Sequence, residues 1–486
     1  MALHRSARCR RQRLGKRWIA ATVIIAMWTC FVVAVSEASP VDVCALARAI
    51  NQSSSGPFVV DVYLNESTRG SPSAAGGVEV VAAFAKDCVI NANVRLFLPE
   101  LNRSRFPVAT SGRPVGTNAT TTAWVVSFSG VTVQGDITML GVDGVRTAGG
   151  FTFLFQSCSV IATTVTAMDI AVNLAHASFV FVDSNFTSVG RAVAFFATRV
   201  SSSSSGDEVD PGGWFAFLNV TSLRCRIVID QAASPDGFMS AFTFGYVGAE
   251  PTAAEPRSVL LGRSSVILED TSFAITTRQA FPNWAMVMTP IGLISGVTWV
   301  TRRCAVELFV SRGAIMSFRA VEDSLLLVTD LYIGITDWDR FNAIEFLGPV
   351  IGSTMIARTV TIRTNNIGTF VRDVRGLFWW HAGVAHSRIL VDGVNMVVRK
   401  GSVAFFHLIQ NDGAPSTNVS ATLSNCDLSH IESYRAFGQW VYIMGLDSRS
   451  GMVSTLLVYG NIFRMTEYDD RLVWFSDLDG MNVNIT

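Results

Sequence analysis

The sequence predicts an all-β protein: a right-handed parallel β-helix, or β-solenoid, with an N-terminal cap. Three observations support this fold: few charged residues, short segments with alternating apolar positions, and recurrence of these segments along the chain. Charged residues make up 16% of the 486 residues, against roughly 25% in an average soluble domain. Ser, Thr, Gly and Asn replace them, which favours stacked strands with a neutral polar surface.

The repeat unit contains an alternating strand, a small polar turn and a second strand. In the C-terminal part the turn residues are 29, 32 and 34 residues apart, at Asn366, Asn395, Asp427 and Asn461. Earlier segments place polar residues at the same point, at Asn185, Ser272 and Asp330. A fixed period of this size indicates stacked units. We expect the turn residues to form a buried ladder of Asn and Asp side chains along the stack.

An aromatic-apolar block follows each unit and predicts a third strand. These blocks lie at 192–196, 284–288, 343–347, 377–380, 403–406, 440–444 and 472–475. Their equivalent positions favour a stacked core wall, although Phe378, Trp379 and Trp380 leave a sugar-stacking platform as an alternative. About ten rungs at roughly 4.8 Å would form a rod about 50 Å long. A β-propeller or a sandwich is the alternative fold, but a propeller blade needs four strands and about 40 to 45 residues.

The N-terminus predicts entry into the secretory pathway. Seven basic residues in the first 17 positions precede an uncharged run of 18 residues from Trp18 to Val35. Small residues at Ser36 and Ala38 fit a cleavage site, so residues 1–38 are interpreted as a signal peptide or an uncleaved signal-anchor. In both cases the remainder is translocated. A mitochondrial presequence is disfavoured because the run is apolar on every side.

Residues 39–120 are predicted to form the N-terminal cap and the first strands, and 121–486 the solenoid. The cap begins with an amphipathic helix over 41–50, followed by strands in 58–64, 78–84 and 94–98. Because the repeat runs up to Thr486, one expectation is that the chain continues in a longer polypeptide. The uncharged run 284–300 is nearly long enough for a membrane span, but its Pro and Gly residues favour adjacent buried strands.

Sequons and cysteines agree with an extracellular compartment. Eight N-x-[ST] acceptors predict N-glycosylation, at Asn51, Asn65, Asn102, Asn118, Asn185, Asn219, Asn418 and Asn484. Cys44 and Cys88 are a candidate disulfide. The other cysteines beyond the N-terminal segment lie in apolar strand patterns and are interpreted as small core residues: Cys158, Cys225, Cys304 and Cys426. The sequence contains no C-x-x-C motif, which argues against a zinc site and against a thioredoxin-type centre.

Two acidic clusters are the candidate catalytic residues. Asp337 and Asp339 would share a strand face about 6.6 Å apart, and Asp469 and Asp470 follow Glu467 in a second cluster. Paired carboxylates suit polysaccharide cleavage or Ca²⁺ binding, but solvated loops are the favoured interpretation. The sequence lacks G-x-S-x-G, Walker and G-x-G-x-x-G motifs. It also has zero formal net charge and no basic groove, so no cofactor, metal or nucleic acid is expected.

The signal-like start, the sequons and degenerate units such as SATLSNCDLSHI and STLLVYGNIFRM carry a family resemblance. Over residues 120–486 the chain resembles kinetoplastid surface proteins of the dispersed gene family type. The resemblance implies a membrane-associated protein with pectin-lyase-like β-helix repeats and an adhesive role at the cell surface.

Three functions follow as hypotheses. The first is a non-enzymatic secreted or cell-surface glycoprotein that presents a recognition or adhesion surface to an extracellular glycan or protein. The second is a polysaccharide lyase or glycoside hydrolase on the same scaffold. The third is a structural module of a larger surface protein. An uncleaved N-terminal segment would add a membrane contact to any of these functions.

Overall fold

The computed structural model describes most of the solenoid and part of the cap. The described residues are 40–51, 59–64, 80–100, 124–142, 147–197, 215–231, 238–246, 258–277, 284–290, 293–309, 312–336, 340–365, 373–380, 382–399, 402–408, 417–432, 442–448, 454–463, 471–478 and 481–485. Nearly all of them lie in strands that pair in parallel with the strand of the next rung, so the fold is a parallel β-helix.

The largest sheet has 24 strands in two columns joined at a sharp corner, and we call it the bent sheet. Its first column contains β1 (Val41–Asp42), β3 (Val80–Lys86), β6 (Trp124–Ser129), β10 (Phe151–Gln156), β14 (Ser178–Val182), β18 (Asn219–Leu223), β22 (Ser265–Glu269), β26 (Thr298–Arg302), β36 (Arg388–Asp392), β39 (Ser420–Ser424), β42 (Ser454–Tyr459) and β45 (Met481–Ile485). Its second column contains β4 (Val89–Ile90), β7 (Thr132–Gln134), β11 (Ser159–Ile161), β15 (Asn185–Ser188), β19 (Arg226–Gln231), β23 (Ser272–Thr277), β27 (Ala305–Phe309), β37 (Asn395–Arg399), β40 (Asp427–Glu432) and β43 (Ile462–Phe463). Two long strands cross the corner, β30 (Leu325–Thr336) and β33 (Thr354–Asn365).

The predicted aromatic-apolar blocks form a 13-stranded sheet, which we call the aromatic sheet. Its strands are β2 (Val59–Tyr63), β5 (Asn93–Leu98), β8 (Ile137–Gly141), β12 (Thr166–Ala171), β16 (Arg191–Ala197), β20 (Phe238–Tyr246), β24 (Trp284–Pro290), β28 (Arg312–Phe318), β31 (Arg340–Phe346), β34 (Asp373–Trp380), β38 (Ser402–Leu408), β41 (Tyr442–Ser448) and β44 (Arg471–Leu478). Thirteen strands at about 4.8 Å make a stack about 58 Å long, so the expectation of ten rungs was too low.

A third wall, the short sheet, was not foreseen. Its eight strands are β9 (Thr147–Gly149), β13 (Asn173–Ala175), β17 (Phe215–Ala216), β21 (Ser258–Leu261), β25 (Leu293–Ser295), β29 (Ala320–Glu322), β32 (Val350–Ile351) and β35 (Val384–Ala385). They contain only two to four residues each, too few to show a period-2 pattern. A rung that includes one of them therefore has four strands instead of the predicted three.

Aromatic and aliphatic side chains from all three sheets fill the interior. Because successive rungs stack in register, identical residue types meet from rung to rung. Phe155 stacks on Phe128 and Phe181, and Phe346 stacks on both Phe318 and Trp380. The run 284–300 forms β24, β25 and most of β26, as its interpretation as adjacent strands required. Within the described part of the chain, no helix has the length and apolar character needed to cross a membrane.

The buried polar ladder exists at the corner of the bent sheet, but it lies one residue earlier than predicted. Asn185 is exposed, whereas the preceding Ser184 is fully buried. Ser184 Oγ accepts a bond from Cys158 N–H in the neighbouring rung (3.1 Å) and donates to Val182 O (2.9 Å). Cysteine thiols at this position donate in the same way, for example Cys304 Sγ–H to Arg302 O (3.4 Å). The corner position has room for a small buried side chain that donates a hydrogen bond to a backbone carbonyl. Cys, Ser and Thr side chains can do this, whereas an ionised Asp cannot donate.

Of the predicted turn residues that the structure describes, only Asn461 takes the ladder role. Its Oδ1 accepts from Cys426 N–H (2.9 Å) and its Nδ2 donates to Leu423 O (3.1 Å). Three others begin second-column strands directly after the ladder position: Ser272, Asn395 and Asp427. Asp330 lies on the corner itself with a positive φ of 53°. Asn366 lies outside the described residues.

The cap consists of α1 (Val43–Asn51), packed on the N-terminal end of the core. Asp42 caps this helix, because its Oδ1 accepts from the backbone N–H of Cys44 (2.9 Å) and Ala45 (3.1 Å). Cys44 is bonded to Cys88, the residue at the corner position of the first rung. The disulfide that the sequence favoured is therefore present and fastens the cap to the solenoid.

Candidate functional site

The predicted catalytic carboxylates fall outside the described residues. Asp337 and Asp339 follow β30 in sequence, and Asp469 and Asp470 follow β43, so their catalytic role stays a prediction. The sequons at Asn65, Asn102 and Asn118 also lie outside the described part. Phe378 and Trp380 are at most 1% exposed, so these two rings belong to the core wall and do not form a sugar platform.

The outer face of the aromatic sheet carries two parallel rows of side chains from β2 to β16. Strand alternation places Val62, Leu96 and Met139 in the core and their neighbours along the strand on the outer face. The flat row consists of Tyr63, Phe97, Leu140, Ala171 and Phe196. The polar row consists of Asp61, Arg95, Thr138 and Asp169. Strand register aligns each row across successive rungs.

The flat row begins with an exposed aromatic stack. The rings of Tyr63 and Phe97 lie 4.4 Å apart and nearly parallel, with an interplanar angle of 7°. Tyr63 is 50% exposed. The Arg95 guanidinium lies 5.7 Å from the centre of the Phe97 ring, and both its Nε and its Nη2 donate to the carboxylate of Asp61 at 2.7 Å. The ion pair and the ring contact hold Arg95 flat against the sheet, which leaves the tyrosine ring free on its outer side.

The other end of the rows holds a half-buried carboxylate. Asp169 Oδ1 is shielded from solvent and has no hydrogen-bond partner among the described residues. Burial raises the pKa of Asp169; the nearby Arg191 opposes that shift and the charge of Asp136 adds to it. The Arg191 guanidinium lies 5.4 Å from the centre of the Phe196 ring. A half-buried carboxyl group with a raised pKa is a candidate for a functional residue.

Asp136 lies directly before β8, beside the two rows. It is 8% exposed and accepts three hydrogen bonds: from Thr163 N–H (3.0 Å), Thr164 N–H (3.3 Å) and Thr164 Oγ–H (2.6 Å). These donors belong to the loop between β11 and β12, so Asp136 fixes the loop that borders the polar row. We call the outer face from β2 to β16, with its two rows, the open half.

The outer face from β20 to β31, which we call the closed half, is polar but buried. Thr243, Ser317, Asn342 and Glu345 are each at most 3% exposed. Glu345 accepts hydrogen bonds from Asn342 Nδ2 (2.8 Å) and Ser317 Oγ (3.4 Å). Asn342 Oδ1 and Thr243 Oγ1 have no hydrogen-bond partner in the described part of the structure. The face that is accessible in the open half is thus covered here.

The chemistry available on the open half is acceptance of hydrogen bonds beside flat apolar surface. Hydroxyl groups of a ligand can donate to the Asp61 carboxylate, whose side chain is 32% exposed, and exposed rings such as Tyr63 offer an apolar body with a polar tip. Among the described residues, no group of three or more His, Cys, Asp or Glu side chains could hold a metal ion. The open half is therefore suited to a hydroxyl-rich organic ligand.

Sequence reasoning missed these rows although a signal was present. Asp61-Val62-Tyr63 and Arg95-Leu96-Phe97 share a charged–apolar–aromatic pattern in two predicted strands. The pattern places a charge and a ring on the same strand face. Only the register of β2 and β5 shows that the two strands are neighbours. The sequence does not give this register, because residues 65–79 separate the two strands.

Comparison with known proteins gives no functional assignment. No protein-family profile matches the chain, and no curated protein matches it, so the kinetoplastid resemblance stays a prediction. Similar solved structures include two variants of the periplasmic alginate epimerase AlgG, with 9% and 10% identity, TM-scores of 0.31 and 0.32, and coverage of 84% of this chain and 86% of theirs. The Azotobacter vinelandii mannuronan C-5 epimerase AlgE6 A-module has 10% identity and a TM-score of 0.29, covering 89% of this chain and 98% of its own. Similarity this low supports no transfer of residues or activity.

Proposed function

We propose that this chain is a secreted or cell-surface β-helix glycoprotein that binds an extended, uncharged polysaccharide along the open half of the aromatic sheet. The observation that carries the proposal is the pair of rows: stacked Tyr63 and Phe97 rings beside a line of hydrogen-bonding groups. Both rows repeat at the rung spacing of about 4.8 Å. A polymer with a hydroxylated edge and an apolar ring face matches that arrangement over several rungs.

The charges on the open half favour a neutral ligand over an acidic one. Arg95 is neutralised by Asp61 through two hydrogen bonds. Arg191 attracts the charge of Asp169, and Asp136 adds a second negative charge near Asp169. With acids in excess, an anionic polymer would be repelled, whereas hydroxyl donors would be accepted.

Three observations of different kinds support an extracellular location. The predicted signal segment and the sequons come from the sequence, and the Cys44–Cys88 disulfide comes from the structure. Stable disulfides form in oxidising compartments. Recognition of an extracellular polysaccharide or adhesion to one is the role that fits this location.

Polysaccharide-binding measurements test the proposal directly. Protein secreted from a eukaryotic host is screened against neutral and acidic polysaccharides, and the affinity for any neutral ligand is measured by calorimetry. Tyr63→Ala is expected to raise Kd roughly 5- to 10-fold, because loss of one aromatic contact costs about 1 kcal/mol. Tyr459→Ala is the matched control, since Tyr459 is 40% exposed on the bent sheet. Equal effects of the two changes, or binding to acidic polymers alone, would contradict the proposal.

One observation favours a second candidate, hydrolysis of the bound polymer. Ile137 pairs with Met168, so Asp136 and Asp169 lie on adjacent strands offset by two residues. A strand spacing of about 4.8 Å and a two-residue rise of about 6.6 Å place their Cα atoms about 8 Å apart. An inverting glycosidase needs its two carboxyl groups roughly 6.5 to 9.5 Å apart. New reducing ends that are lost in Asp169→Asn, while binding persists, would establish hydrolysis. Their absence from every bound polysaccharide would exclude it.

A further inference from the structure

The described sequons are distributed unevenly around the β-helix. Asn185 begins β15 and Asn219 begins β18, both in the bent sheet. Asn418 lies at the edge of the bent sheet, two residues before β39, and Asn51 ends the cap helix. These four are exposed, and a fifth described sequon asparagine, Asn484, lies on β45 of the bent sheet. None of the described sequons lies on a strand of the aromatic sheet.

We infer that Asn185, Asn219 and Asn418 carry N-linked glycans, and that these three glycans coat the bent sheet and leave the strands of the open half uncovered. Attachment of a glycan needs a free side-chain amide nitrogen and space above it. The buried asparagines Asn173 and Asn342 are not in sequons. Asn185, Asn219 and Asn418 are thus exposed, carry the acceptor motif and lie on the bent-sheet side of the molecule.

The local surroundings of each site leave room for a glycan. Asn219 is flanked in register by Ser178 and Ser265 in the neighbouring rungs, which are small residues. Ser265 Oγ donates to Asn219 Oδ1 at 2.8 Å. This bond uses the amide oxygen, so it orients the side chain and leaves its nitrogen free for the glycan.

Asn185 and Asn418 are accommodated in different ways. Asn185 is flanked by Ser159 on one side and Arg226 on the other. Asn418 has a positive φ of 51°, a conformation that Asn tolerates better than most residues. Its Nδ2 lies 3.1 Å from His386 Nδ1. An N-glycosylated amide keeps one hydrogen, so that contact can persist in the modified protein.

A one-sided coat restricts how the rod can approach other molecules. Glycans on these three sites would hinder contacts across the bent sheet, and none of the three would lie over the strands of the open half. The coat would thus direct a polymeric ligand to the two rows. Site occupancy itself does not depend on the proposed polysaccharide function.

Glycopeptide mass spectrometry of protein secreted from a eukaryotic host tests the inference. Majority occupancy at Asn185, Asn219 and Asn418 is expected, and loss of one glycan mass in each of N185Q, N219Q and N418Q. A secreted protein that is unmodified at two or three of these positions would overturn the inference, whatever it binds.

A second experiment tests the orientation. Thr138→Asn combined with Leu140→Thr creates a sequon in the middle of the open half. For a polysaccharide that the wild type binds, this variant is expected to lose at least 10-fold in affinity, with recovery after enzymatic glycan removal. The triple variant N185Q/N219Q/N418Q is expected to bind within 2-fold of the wild type. A triple variant that loses affinity as strongly would show that the glycans do not leave the binding face bare.

Discussion

The open and closed halves of the aromatic sheet have the same backbone but opposite exposure of their outer faces. In the open half, Tyr63 and Arg95 are accessible and their polar groups are paired or solvated. In the closed half, Thr243 and Asn342 are buried, and each retains an oxygen without a hydrogen-bond partner in the described part of the chain. The difference shows that one repeated sheet can supply both a ligand-accessible surface and a covered polar interior.

The largest expected effect concerns the closed half. Glu345→Ala removes the acceptor for Asn342 and Ser317 and leaves a cavity, so the free energy of unfolding is expected to fall by about 2 to 4 kcal/mol. Urea denaturation followed by circular dichroism measures it. Glu307→Ala is the control, because Glu307 is exposed on β27, and it is expected to change stability by less than about 0.5 kcal/mol. Similar losses in both variants would mean that the closed half is not a tightly packed interior.

A smaller effect of opposite sign is expected at Thr243. Thr243→Val keeps the side-chain shape and removes a buried hydroxyl that lacks a partner, so the protein is expected to gain about 1 kcal/mol. Thr138→Val makes the same change in the open half, where Thr138 is half-exposed, and should stay within about 0.5 kcal/mol of the wild type. If Thr243→Val destabilises the protein, the hydroxyl has a partner, such as an ordered water.

The smallest effect depends on pH and concerns Asp169. The raised pKa of this carboxyl means that the folded state binds its proton more tightly than the unfolded state does. Above the folded-state pKa the carboxyl is ionised and destabilises the fold. This destabilisation decreases as the pH falls below the folded-state pKa, and it is absent below the pKa of the unfolded state. Asp169→Asn should be more stable than the wild type at pH 8, and this difference should shrink at pH 4. Thermal unfolding of both proteins at the two pH values measures it, and a gap that widened toward pH 4 would contradict the assigned shift.

The sequence predicted the strands and the class of fold because both depend on local alternation and on its period. The strands at β2, β3 and β5, the helix capped by Asp42 and the aromatic wall with Phe378 and Trp380 all followed from such patterns. The short sheet could not be predicted, since strands such as Val350–Ile351 contain no repeat of the pattern. The predicted position of the corner ladder was wrong by one residue. At the corner, exposed Asn and Asp residues are adjacent in sequence to the buried Ser, Thr and Cys residues that form the ladder.

The candidate site was harder to predict than the fold because it depends on contacts between rungs. Asp61 and Arg95 are 34 residues apart in sequence, and only the strand register makes them neighbours. The acidic clusters are visible in the sequence because their residues are adjacent along the chain. The two rows are not visible there, because each strand contributes one residue to a row. In a β-helix, residues that are neighbours on adjacent strands are separated in sequence by a full turn, and the length of that turn varies.

The corner ladder also has a consequence for oxidative folding. Along the ladder, thiols alternate with hydroxyls in the order Cys158, Ser184, Cys225, Thr271 and Cys304. Neighbouring thiols are therefore two rungs apart, about 9.6 Å, beyond the roughly 4.4 to 6.8 Å between Cα atoms that a disulfide requires. Burial raises the pKa of Cys304 to about 11, which suppresses its thiolate. Once the rungs are stacked in register, these thiols are protected from mispairing, and Cys44 and Cys88 are left to pair with each other.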